Sequence, residues 1–123
     1  MIDHISIQVK EITKSTHFYE SALSVFGYKK LEGDFGGAVA FSNGELSIWL
    51  IPSDSNGHTS NNTHIAFKAT SVDQVKNFHD AAIAAGGKDH GAPGKVPEYG
   101  DDYYGGYVLD PDGNNIEAVI HIK

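Results

Sequence analysis

The sequence contains no cysteine and no arginine. Without cysteine there are no disulfides, thiolate metal ligands or cysteine nucleophiles, and the composition fits a reducing compartment, so a cytoplasmic location is expected. Without arginine the chain lacks the planar fork that best grips a carboxylate or phosphate, which argues against tightly held anionic substrates. All nine cations are lysines, set against sixteen acids for a net charge of −7. The charge is shared, −3 over residues 1–60 (four Lys, seven acids) and −4 over 61–123 (five Lys, nine acids). No basic stripe remains for nucleic acid or an anionic membrane. No apolar run approaches the ~20 residues of a membrane span, and the opening Met1-Ile2-Asp3-His4 has no signal-peptide pattern. Nucleophile elbow, phosphate loop and dinucleotide fingerprint are missing too.

What is present is an internal repeat. Asp3-His4-Ile5 and Thr63-His64-Ile65 each open an alternating run that leads into a helical pattern, with the histidines sixty positions apart. At that offset Ile5 meets Ile65, Phe18 meets Phe78, Ala22 meets Ala82, Leu23 meets Ile83 and Gly27 meets Gly87. One supersecondary unit is used twice. At 123 residues the chain has room for one domain with a real core. It divides into a first module at 1–52, a linker at 53–62 and a second module at 63–123.

In the first strand Ile5, Ile7 and Val9 face one way while His4, Ser6 and Gln8 face the other. A helix follows Lys10–Ile12, with Thr13 as cap, Phe18, Ala22, Val25 and Phe26 on its apolar stripe, and Gly27 as its end. Tyr28–Leu31, Ala38–Phe41 and Leu46–Ile51 read as strands, with turns at Gly36-Gly37 and Asn43-Gly44, the latter a favoured hairpin pair. The polar, aperiodic stretch 53–62 is the linker. In the second module Ile65, Phe67 and Ala69 oppose His64, Ala66 and Lys68; Ser71 and Gln74 form a capping box, and Val75, Phe78, Ala82 and Ala85 mark the buried stripe of a helix. Residues 88–102, with their glycines and prolines, read as a long loop. Tyr103–Leu109 and Asn115–Ile122 are strands about the turn Asp110-Pro111-Asp112-Gly113. Each repeat thus reads strand, helix, then three strands. With helices on one face of each sheet, the opposite faces must meet or enclose something.

Those faces carry His4, His64 and Glu117. Two imidazoles and a carboxylate form the facial triad that suits Fe(II), and equally Ni, Mn, Co or Zn, leaving positions open for substrate or water. A lone histidine at a strand start is more often a hydrogen-bonded surface residue. Repeat-equivalent placement beside a glutamate among apolar neighbours is what favours a metal site. His17, His79, His58 and His90 read as solvated, and Asp101-Asp102 as a solvent-facing pair.

The chain resembles the vicinal oxygen chelate superfamily, which groups glyoxalase I, extradiol dioxygenases, fosfomycin-modifying enzymes and bleomycin resistance proteins. The resemblance is carried by Ile2-Asp3-His4-Ile5, Phe18-Tyr19, His64 and the run from Tyr103-Tyr104 through Asp110-Pro111-Asp112-Gly113-Asn114-Asn115-Ile116-Glu117. It implies an α+β fold of two βαβββ modules forming a cupped mixed sheet around a divalent metal ion, with ligands on the first and fourth strands of each module. His4, His64 and Glu117 occupy three of the four places. The fourth departs from the glyoxalase I pattern, because Ser47, Trp49 and Ile51 face the cup and Glu45 lies too near the turn. Glyoxalase I proper therefore fits poorly, losing a candidate base as well as the arginine that would hold glutathione's carboxylates.

Two functions remain from this reading. One is a metalloenzyme of the glyoxalase/dioxygenase type, of lyase, isomerase or dioxygenase chemistry, acting on a small substrate that chelates the ion through vicinal oxygens. In it Glu117 and Tyr103 are catalytic, with Tyr104 and His121 as further acid–base nominees, and Trp49, Ser47 and Tyr103 contact substrate. The other is a metal-free cup of the bleomycin-resistance kind that sequesters a planar or amphipathic molecule between Trp49 and Tyr103. The resemblance also implies a homodimer, in some relatives with modules exchanged, so that His4 and His64 meet either within a chain or between chains.

Overall fold

A computed structural model of the chain describes residues 1–54 and 57–122. Its elements are β1 (His4–Val9), α1 (Ile12–Ser24), β2 (Lys29–Lys30), β3 (Val39–Ser42), β4 (Ser47–Pro52), β5 (His64–Lys68), α2 (Val72–Ala84), β6 (Lys88–Lys95), a single 3-10 turn at Pro97–Tyr99, β7 (Tyr103–Leu109) and β8 (Asn115–His121). They make two mixed sheets, β1-β4-β3-β2 and β5-β8-β7-β6, in which β1 runs parallel to β4 and β5 parallel to β8. This is the α+β architecture of two βαβββ modules. Among the described residues no helix is long and apolar enough to cross a membrane.

The repeat is visible in the helices, whose bounds differ by the offset of sixty, and both helices bury the paired positions Phe18/Phe78 and Ala22/Ala82. Ile5 and Ile65 are likewise equivalent, each the half-buried second residue of its strand, while the remaining two pairs diverge. Leu23 is buried while Ile83 is exposed. Gly27 has the left-handed φ of 83° that ends a helix, but Gly86 (φ 101°), not Gly87, does this in the second module. Gly87 is needed for another reason: a Cβ there would lie 2.5 Å from Val108 and 2.6 Å from Phe18, so glycine lets β7 and α1 close on the end of α2.

A single core joins the modules, running from Ile7, Val9, Phe18 and Leu23 through Ile48 and Leu50 to Val75, Phe78, Val108 and Ile116. Phe26, at the end of α1, stacks on Phe67 of β5 with ring centroids 5.5 Å apart. Polar bonds fasten the same seam. The Tyr19 hydroxyl donates to the buried Asp110 carboxylate, which also accepts from the backbone N–H of Asp112 and Asn114 and from the Asn114 side chain. Burial, then the Asp110 charge, push the Tyr19 phenol well above its ordinary pKa, so it stays a donor. Asn114 in turn bonds the Ser60 carbonyl and accepts from the Thr63 N–H. The Asp-Pro-Asp-Gly-Asn run is thus an anchor between α1, the linker and β5.

Several local expectations are corrected. The stretch read as a loop over 88–102 is largely β6, which pairs antiparallel with β7 through register shifts between Asp89, Gly91 and Gly94. It is an edge strand, and Gly and Pro93 are tolerated at an edge and at bulges. Helix α1 begins at Ile12 with Glu11 as N-cap and no side-chain cap bond, so Thr13 lies inside it. The capping box holds in modified form: Ser71 accepts from the Gln74 N–H, while Gln74 reaches back to the Thr70 N–H. Between β3 and β4 the tight hairpin gives way to a four-residue connection, Asn43 to Leu46, since Ser42 pairs with Ser47. The Asn43 side chain supports it by accepting from the N–H groups of Glu45 and Leu46. Within the linker Ser60 covers the free edge of β1, its N–H donating to the Gln8 carbonyl and its hydroxyl accepting from the Gln8 N–H. Ser55 and Asn56 of that linker lie outside the described residues.

Candidate active site

Strand alternation sorts the two faces of each sheet. In β1 Ile7 and Val9 are buried and His4 and Ser6 exposed; in β5 Phe67 is buried and His64 and Ala66 exposed. Ala66 stands in register with Glu117 of β8, and His64 with Asn115. His64 therefore sits diagonally beside Glu117, and its Nε2 is 2.8 Å from Glu117 Oε1. The Tyr103 hydroxyl donates to the other oxygen, Oε2.

Glu117 is fully buried. A buried carboxylate is costly unless paired and hydrogen-bonded, and here both oxygens are bound. Room for it comes from β7, where a Cβ on Gly105 would stand 2.9 Å from Oε2. Tyr107 is the in-register neighbour of Glu117 on β7. Burial, then the bond to Glu117, raise the Tyr103 pKa; burial is also the main cause that lifts Tyr107 to about 12. Both phenols are donors at neutral pH.

His64 and Glu117 are the sequence-derived ligands that come together. His4 lies on the other sheet, in register with Ser47, half-exposed, its Nδ1 2.7 Å from Asp3. Among the described residues no three His, Asp or Glu side chains are gathered closely enough to hold a metal ion. Trp49 and Ser47 share the outer face of the first sheet with His4, and the indole N–H is satisfied by the Ser47 hydroxyl at 3.0 Å. Phe35 packs edge-on to Trp49, with ring centroids 5.1 Å apart.

Of the further nominees, His121 stacks edge-on to Tyr103 at 5.3 Å and its Nδ1 is 3.4 Å from Asp102. Tyr104 packs against the core instead, as its even position in β7 requires. His79 is not solvated: its side chain is 13% exposed and bonds Asp89 at 2.8 Å. His17, His58 and His90 are exposed. Sequence reading passed over Gly105 and Tyr107. Their signal was the period of two in Tyr103, Gly105 and Tyr107, which puts all three on the face of Glu117.

The profile of the Glyoxalase/Bleomycin resistance protein/Dioxygenase superfamily matches residues 1–118. No curated protein sequence matches the chain. Among solved structures, a glyoxalase/bleomycin resistance protein from Albidiferax ferrireducens T118 is 26% identical with a TM-score of 0.82, covering 98% of each chain. Lactoylglutathione lyase from Agrobacterium tumefaciens is 22% identical (TM-score 0.69, 98% of this chain and 92% of that one). Fosfomycin resistance protein FosX from Mesorhizobium loti is 18% identical (TM-score 0.69, 98% and 91%). The last two likenesses speak for the fold alone.

Proposed function

The chain belongs to the Glyoxalase/Bleomycin resistance protein/Dioxygenase superfamily, and on that footing we propose that it is a divalent-metal-dependent enzyme acting on a small substrate with vicinal oxygens. The observation that carries this reading is the fully buried Glu117 joined to His64 at 2.8 Å on an otherwise uncovered sheet face. A fold has little reason to bury a carboxylate there for stability alone, since an apolar residue would serve as well or better.

The fit to a metal ion is partial within one chain. An imidazole nitrogen and a carboxylate oxygen this close suit two ligands at ~2.0–2.2 Å from a common ion. Catalytic sites usually take three protein ligands, so the set is one short. His4 of a second copy would supply the third ligand in a homodimer, bringing Ser47 and Trp49 as the opposing wall. The ion would be Fe, Ni, Mn, Co or Zn, and when bound it would act as a Lewis acid that stabilises an enolate- or catecholate-like anion. The reaction class is lyase, isomerase or dioxygenase chemistry in a cytoplasmic protein.

The chain's own groups have distinct parts. The hydrogen bond between His64 Nε2 and Glu117 Oε1 would give way on loading, because a ligating imidazole nitrogen offers its lone pair and carries its proton on Nδ1. Tyr103 keeps its proton at neutral pH; it fixes the Glu117 carboxylate and can donate to a substrate oxygen, but it is no base. Trp49, in register with Ser6 as Glu117 is with Ala66, stands where glyoxalase I would need a carboxylate, so isomerisation of a glutathione adduct is not the proposed reaction.

A second reading is metal-free sequestration of a planar molecule between Trp49 and Tyr103. It is favoured by the lack of a third ligand among the described residues. Metal analysis of protein purified without chelator separates the two. The enzyme reading expects a bound divalent ion in the wild type that is lost in His4→Ala, His64→Ala and Glu117→Gln. Equal metal content in wild type and variants would remove it and leave sequestration.

A further inference from the structure

Gly105 lies in β7 between Tyr103 and Tyr107, and strand alternation puts all three on one face. A Cβ on Gly105 would lie 2.9 Å from Glu117 Oε2, 3.2 Å from the Tyr103 ring and 3.3 Å from the Tyr107 hydroxyl. Both tyrosines therefore lean inward over the glycine, and their hydroxyl ends meet at one carboxylate oxygen. Tyr103 already donates to Oε2. The Tyr107 hydroxyl is closed to solvent and makes no hydrogen bond elsewhere among the described residues; it interacts with Tyr103 and Glu117.

The two oxygens of Glu117 thus have different surroundings. Oε1 meets the His64 ring at 2.8 Å, on a side chain that is half-exposed. Oε2 lies under two phenols that keep their protons at neutral pH. A carboxylate oxygen accepts on two lone pairs, so Oε2 has room for both hydroxyl protons and then nothing left to offer a cation. Oε1 gives up one bond, to a ring at the surface, and becomes available.

We propose that Tyr103 and Tyr107, closing over Gly105, are positioning residues that restrict Glu117 to a single ligating oxygen, Oε1. The consequence is for the substrate. A carboxylate free to use both oxygens takes two places on a metal ion, and a substrate that chelates through vicinal oxygens needs two of those the protein leaves open. Capping Oε2 keeps a place free. The assignment rests on the metalloenzyme reading and adds a reason for burying the carboxylate beneath two phenols.

The test loads the full chain with Co²⁺ and uses acetohydroxamate, a small chelator with vicinal oxygens, as the probe. Glutamate is ¹³C-labelled at its side-chain carboxyl, and infrared spectra of loaded and metal-free wild type are subtracted. The two glutamate carboxylate bands should move apart on loading, as they do when one oxygen is bound. Bands that draw together show both oxygens bound and overturn the assignment, and this measurement needs no variant. Tyr107→Phe, and separately Tyr103→Phe, should keep their cobalt yet bind acetohydroxamate about tenfold more weakly, read from the visible absorption of the ion. A chelator affinity equal to wild type in either variant overturns the assignment. So does loss of cobalt in step with the chelator, the signature of a merely structural role. Wild-type protein that takes up no cobalt defeats the metalloenzyme reading and this one with it, whereas cobalt uptake with any of the other failures defeats this one alone.

Discussion

Two carboxylates are buried on β8 and the turn before it, and their surroundings separate structure from chemistry. Asp110 is enclosed by Tyr19, Asn114 and backbone N–H groups of its own turn, all protein and all fixed. Glu117 meets a histidine that is half-exposed and a partly exposed tyrosine flanked by Tyr99 and His121. Deleting the Tyr19 hydroxyl should therefore act on stability. Tyr19→Phe is expected to cost about 2 kcal/mol in urea unfolding, the value of a hydrogen bond to a buried charged group, with an unchanged denaturant slope. A loss near zero would show that Asp110 is satisfied without it. Both acids belong to the characteristic closing run of the sequence, yet residue type alone did not tell the anchor from the candidate ligand. The difference lies in what each carboxylate faces.

At the scale of elements, β6 shows how far periodicity carries. Its composition, Lys-Asp-His-Gly-Ala-Pro-Gly-Lys, has the marks of a loop, but pairing with β7 outweighs them because an edge strand tolerates bulges. The helices were legible because their apolar stripes recur every three or four residues, and β1, β5 and β8 because theirs alternate. What ties β6 to α2 is the pair His79–Asp89. Its hydrogen bond to His79, then that from the Gly91 N–H, lower the Asp89 pKa from its ordinary 3.8. A depressed carboxylate pKa contributes stability that is present above the unfolded value and lost as pH falls through the folded one. Asp89→Asn should thus lower the melting temperature at neutral pH, with the gap to wild type closing below pH 3.8. A gap that persists unchanged into acid would show the bond to be unimportant.

At the scale of the whole molecule, the two modules share one core while their histidine-bearing faces stay uncovered. If His4 of one copy completes the site of another, complementation follows. His4→Ala and His64→Ala would each bind no metal, yet subunit exchange between them should restore roughly a quarter of the wild-type content, since about half the dimers are mixed and each mixed dimer has one intact site. Recovery of none would place the three ligands in a single chain or remove the site.

The sequence by itself determined the duplicated modules, the face on which each polar strand residue lies, and the exclusion of thiolate and arginine chemistry, because these follow from local period and composition. Only the tertiary structure decided that His64 and Glu117 meet while His4 does not join them, and that Gly105 makes room for the carboxylate between two tyrosines. Such facts depend on the packing of one sheet against the rest of the chain, and no spacing along a strand encodes the distance between two sheets.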